Sequence, residues 1–128
     1  MMIKKRSELR EKAAIILYQA DVIKAPDIEE LIKNNCEAKS DFVEEIVFGV
    51  ITHLKELDDI ANKYMKDWTI DRIDKMGANI LRVGIYELKF TETPDIVVIN
   101  EAVELAKKYC DDNVRKIINA VLDRYIKE

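Results

Sequence analysis

His53 is the chain's one histidine, so proton transfer near neutral pH would have to run through it. A catalytic histidine needs a nucleophile to activate and a carboxylate to orient it. The local sequence does not supply both, and His53 reads as a half-buried structural residue on the edge of an apolar stripe. The pairs Asp58/Asp59 and Asp111/Asp112 carry charge that a cation would want. Neighbouring carboxylates on a helix diverge by about 100°, however, and the calcium-loop pattern with its glycine is absent. Both pairs read as caps or solvated surface. Cys36 and Cys110 lie far apart with no C-x-x-C spacing, and read as reduced thiols of a cytosolic protein. Gly49, Gly77 and Gly84 form no phosphate-cradling loop; Gly49 and Gly84 instead mark close helix packing. The expectation is a protein that binds rather than catalyses, with no cofactor and no metal.

What remains is charge. The chain carries 21 Lys and Arg against 25 Asp and Glu, a formal net charge of −4. Within residues 1–12, however, Lys4, Lys5, Arg6, Arg10 and Lys12 face only Glu8 and Glu11. Arg6 and Arg10 are one helical turn apart and project together. They lie nearly in line with an apolar stripe that begins at Leu9, so they are expected to emerge at the end of a bundle, beside other helices. Cations at a helix start oppose the helix dipole at a cost of a few tenths of a kcal/mol each, a conflict that an anionic ligand would relieve. The acidic total argues against a general nucleic-acid coat, but binding follows the local field rather than the sum.

Helices must position these residues. The chain has 128 residues, 48% hydrophobic and 36% charged, with 3 glycines and 2 prolines. That length suits one domain, and that composition favours helices with solvated outer faces. The first residues lack the apolar stretch of a signal peptide, and no run of about 18 apolar residues exists to span a membrane. Leu9, Ala13, Ile16, Leu17 and Ala20 set a helix over about Lys5 to Val22. A short helix follows Pro26, with Asp27 as N-cap. Ser40 or Asp41 opens the next, whose stripe from Phe42 to Leu57 runs on to Tyr64 with a break between His53 and Leu57. Thr69 is placed to cap a short turn, TIDRID. The segment Met76 to Phe90 is apolar around most of its circumference, which predicts a central, buried helix. After Pro94, DIVVI reads as an extended entry to a helix over about Val98 to Tyr109. Asp111 and Asp112 then cap a last helix over about Asn113 to Ile126. Seven helical segments in this length make an all-α bundle.

PDIVVINEAVELAKKYCDDNVRKIINAVLDR (94–124) resembles the C-terminal signature of the NusB family. RSELREKAAIILYQ (6–19) is similar to that family's Arg-rich first helix, and 41–64 and 80–88 are similar to its middle. The resemblance covers about 120 residues in order, and is most specific at Ile99–Lys108 and Asn119–Asp123. It implies a seven-helix fold of two packed three-helix subdomains and a cytoplasmic antitermination factor. The implied partners are single-stranded boxA RNA, ribosomal protein S10 and the RNA polymerase antitermination complex that supports ribosomal RNA synthesis. The family's RNA surface maps to Lys5, Arg6 and Arg10, with Lys4 and Lys12 as extra cations, Tyr18 at an aromatic position nearby, and Asn113, Arg115 and Lys116 at the start of the last helix. Glu87 is a candidate for partner contact.

Three departures from the family pattern bear on function. Ile117 stands where an aromatic residue often follows the final-helix lysine, which removes a stacking contact worth about 1–3 kcal/mol per base. Ala120 replaces a frequent glycine after Asn119. Gly77 and Ala78 replace a charged pair in the region that the resemblance places opposite S10, and Gly77 should weaken its helix start. Two alternatives stand beside the antitermination reading. One is an RNA-binding module of an RNA-modification system, against which 128 residues leave no room for a cofactor-binding α/β domain. The other is a homodimer that masks the basic surface. The mapped surface predicts that Arg6→Ala with Arg10→Ala weakens RNA binding without unfolding the domain.

Overall fold

Four helix starts among the described residues fall where a short polar side chain satisfies an unpaired N–H of the first turn. The computed structural model describes residues 5–128, so Lys4 lies outside the described residues. Asp27 accepts from the Glu30 N–H at 3.2 Å and opens α2 (Ile28–Asn35). Ser40, not Asp41, caps α3 (Asp41–Thr52), accepting from Val43 at 3.2 Å. Asp74 caps α5 (Lys75–Phe90), and Asp111 caps α7 (Asp112–Ile126). The first helix, α1, spans Arg6–Val22. His53 is the break, ending α3 and starting α4 (Leu54–Tyr64). TIDRID contains a 3₁₀ turn at Ile70–Arg72; Thr69 makes no capping bond to it, its hydroxyl meeting Asp71 instead.

One boundary differs from expectation. DIVVI is helical from its first residue, because α6 spans Asp95–Tyr109. Pro94 holds φ at −57° and its carbonyl accepts from Val97 and Val98 at 3.0 and 3.1 Å. The run mimics a strand because its β-branched residues Ile96 and Val97 are exposed at the surface rather than spaced for a core.

The α5 helix lies at the centre. Every residue from Gly77 to Glu87 is buried, and α5 packs against α1, α3, α4, α6 and α7. That is the physical content of its all-round apolar pattern. On one side α1 gathers α2 and α3; on the other α7 packs on α4 and α6. The two groups share one continuous core that includes Ile16, Ile46, Leu81, Ile85, Ile118 and Leu122.

Glycines permit the closest approaches. At Gly84 a methyl group would press on Leu122 at 3.1 Å, where α5 meets α7. A methyl at Gly49 would run into the Tyr86 ring, which fills the space between α3 and α5. Gly49→Ala should therefore lose about 1–3 kcal/mol through overpacking, outweighing alanine's helix advantage of about 1 kcal/mol. Urea unfolding checks this; an unchanged or higher midpoint would show that the ring yields without cost.

Two expectations are corrected. Gly77 and Ala78 do not face outward toward a partner. Both are buried, and a methyl at Gly77 would come within 2.5 Å of Val114 of α7. Nor is Asp58 a cap or solvated surface. It receives Arg82 of α5 through two bonds of 2.8 and 3.0 Å, while the same guanidinium reaches Asp21 at 3.2 Å and Asn79 at 3.0 Å. Burial pulls the Arg82 pKa down, but the bonds and charge of Asp58 and Asp21 outweigh it and leave it raised. This network ties α5 to α4 and to the end of α1.

Candidate nucleic-acid interface

The first helix divides its cations by direction. At 100° per residue, Arg6 and Arg10 sit on the core-facing side with Ala13 and Leu17, whereas Lys5 and Lys12 share a different edge. Lys5 and Arg6 are exposed and Lys12 is half-buried. Arg10 is buried at 4% exposure. It donates to both oxygens of Glu87, at 2.6 and 2.9 Å, and to Glu101 of α6 at 3.1 Å. Burial opposes the charge on Arg10, yet Glu87 and then Glu101 more than compensate, and its pKa is raised.

This geometry corrects two expectations. Arg10 does not emerge at the end of the bundle: it is buried, with its guanidinium bonded to α5 and α6. Glu87, at 1% exposure, offers no surface to a partner; it is the counter-charge of Arg10. The Arg6/Arg10 double variant therefore perturbs the fold and cannot report on RNA binding alone. Sequence spacing put the two arginines together, but only the packing of α5 showed that one of them ends in the core.

Arg6 lies over the Phe42 ring, 4.7 Å from its centroid, a favourable cation–π position. Asp41, Glu45 and Glu92 share its groove, so the field there is mixed. On the other face Glu11 accepts from Lys108 at 2.6 Å and also pairs with the Tyr109 hydroxyl. Those two bonds hold the Glu11 carboxyl below its ordinary pKa. A lowered carboxylate pKa stabilises the fold above the ordinary carboxylate range and is lost as pH falls through the folded-state value. Glu11→Gln should thus be less stable than wild type at neutral pH, with the difference vanishing in acid; melting curves across that range check it.

The Glu11 contacts bring the middle of α1 beside the end of α6, from which α7 starts three residues later. Tyr18, 39% exposed, follows Glu11 by two turns on the same face, about 10 Å along the axis. At the start of α7, Asn113 and Lys116 are exposed, and Arg115 is half-buried with Asp112 at 3.7 Å. Asn113, Lys116 and Ile117 line a groove with Lys66, Trp68 and Arg124. Trp68 is absent from the mapped surface; its signal was being the sole tryptophan, in a polar connector.

His53 stacks on Phe90 with ring centroids 4.3 Å apart and faces Glu56 at 3.5 Å. Burial, then Asp74 and Asp111, pushes the Cys110 thiol up to about 12, so it stays protonated. Among the described residues no cluster of three His, Cys, Asp or Glu could hold a metal ion, and no helix is long and apolar enough to cross a membrane.

Comparison with known proteins agrees with this helical architecture. The chain is 39% identical over 129 residues to the transcription antitermination protein NusB of Pediococcus pentosaceus, covering 95% of this chain and 97% of that protein. It superposes on T. maritima NusB with a TM-score of 0.89 and 29% identity, over 99% of this chain and 94% of the other. A crystal structure of antitermination factors NusB and NusE in complex with dsRNA contains a chain with a TM-score of 0.82 and 30% identity, over 98% of both. The NusB family model matches residues 7–127. By sequence over nearly its whole length and by its helical architecture, the chain belongs to the NusB family.

Proposed function

We propose that this protein is a cytoplasmic transcription antitermination factor that binds single-stranded boxA RNA together with ribosomal protein S10. In this role it joins the RNA polymerase antitermination complex and supports ribosomal RNA transcription. The observation that carries the reading is likeness over 98% of both chains to one solved in a complex of NusB, NusE (the S10 protein) and dsRNA, and the boxA single strand is the finer proposal that the test below decides. The surface involved comprises Lys5, Arg6 and Lys12, then Tyr18, and the α7 start at Asn113, Arg115 and Lys116. Lysines and arginines neutralise phosphates, and affinity then falls linearly with salt on logarithmic axes.

The test is RNA binding by the purified protein at several salt concentrations, with and without S10, using boxA, scrambled and duplex RNA. The expected result is a preference for single-stranded boxA that S10 strengthens. No preference over scrambled RNA with S10 present would sink the reading.

A further inference from the structure

We propose that Trp68 is a base-stacking platform of the RNA site, supplying from the connector after α4 the aromatic surface that α7 lacks at Ile117. The inference rests on the RNA-binding reading above and names a residue that reading does not use.

Three observations carry it. Trp68 is 49% exposed, so about half of a large aromatic surface is open to a ligand's ring. It lines the same groove as Ile117, whose side chain cannot stack on a base, and as Asn113 and Lys116 at the α7 start. The groove is also electropositive in an acidic chain: Lys66, Lys116 and Arg124 line it against the single carboxylate of Asp67. Arg124 is fixed there by donating to the Tyr64 carbonyl at 2.6 Å. A volume of about 330 Å³ places it at the lower end of small-ligand pockets.

An exposed indole beside flexible lysines and an amide side chain matches a single-stranded nucleotide. Bases stack on aromatic faces while nearby cations take the phosphates. Asn113 can donate to and accept from a base edge. A duplex keeps its bases stacked within itself, so Trp68 discriminates for single strands.

Trp68 is the only tryptophan in the chain, so intrinsic emission reports on this position alone. In a titration with single-stranded boxA RNA and S10, the Trp68 emission is expected to be quenched, with Trp68→Phe measured alongside as the blank for any S10 signal. Duplex RNA is expected to leave it unchanged. Trp68→Ala should weaken single-strand binding about 5- to 150-fold, while Trp68→Phe retains most of the affinity and both variants melt close to wild type. Single-strand binding with unchanged emission, and a Trp68→Ala affinity within twofold of wild type, overturns this proposal but leaves the RNA-binding reading intact. Absence of any boxA binding by the wild type overturns both.

Discussion

Arg10→Ala is expected to lower folding stability by about 3–5 kcal/mol, the range for breaking one partner of a buried ion pair. The substitution leaves the Glu87 carboxylate at 1% exposure without the guanidinium that pairs with both its oxygens. Total stability of a domain this size is about 5–15 kcal/mol, so the loss is a large fraction of it. Urea unfolding measures the change directly. A companion variant separates charge from packing: Arg10→Met with Glu87→Leu replaces the pair by apolar groups of similar volume, and such replacements are often neutral or better. It should recover most of the loss, with Glu101 left partly in water. Equal destabilisation by both variants would show that shape, not the buried charge, dominates the site.

A large functional effect is expected from the exposed cations. With a triple substitution of Lys5, Arg6 and Lys116 to alanine, single-stranded RNA binding should weaken about 50-fold near 0.15 M salt. The salt slope should become shallower by about 2. Both figures follow from a slope of about −0.7 per neutralised phosphate on a single strand, taken over three contacts. All three side chains are exposed and none enters the core, so the unfolding midpoint should stay near wild type. An unchanged salt slope with reduced affinity would mean that these residues act other than by phosphate neutralisation. Arg6 is the informative member. Asp41, Glu45 and Glu92 line its groove, so Arg6→Ala alone should contribute less than Lys116→Ala.

How the proposed RNA surface is laid out follows from the same contrast. Arg6 and Arg10 differ by one turn and both lie over the Phe42 ring, yet Arg6 stays exposed while Arg10 is enclosed by Glu87 and Glu101. The buried ion pair welds α1 to α5 and α6, and the Glu11 contacts with Lys108 and Tyr109 add a second tie between α1 and α6. The exposed ends of α1 and α7 are therefore held as parts of one rigid frame. Preorganisation of that kind reduces the ordering cost of binding.

Much of the fold was readable in the residues themselves. Apolar spacing gave seven helices, and Asp27, Asp111 and the break at His53 marked boundaries, because caps and periodicity are local physics that each segment carries alone. The all-round apolar pattern of residues 76–90 sufficed to place that helix at the centre. The family likewise follows from residues in order along the chain. What the sequence could not decide was which charges meet water. Arg10 with Glu87, and Arg82 with Asp58 and Asp21, are separated by 24 to 77 residues. Their pairing exists only once α5 is packed against α1 and α4. The same holds for Trp68, which is 45 or more residues from Asn113 and Lys116 and joins them only because its connector folds back against α7. Local sequence determined the helices and their ends; long-range packing, which buries a charge only when a counter-charge arrives with it, decided which of the basic residues are structure and which remain for a ligand.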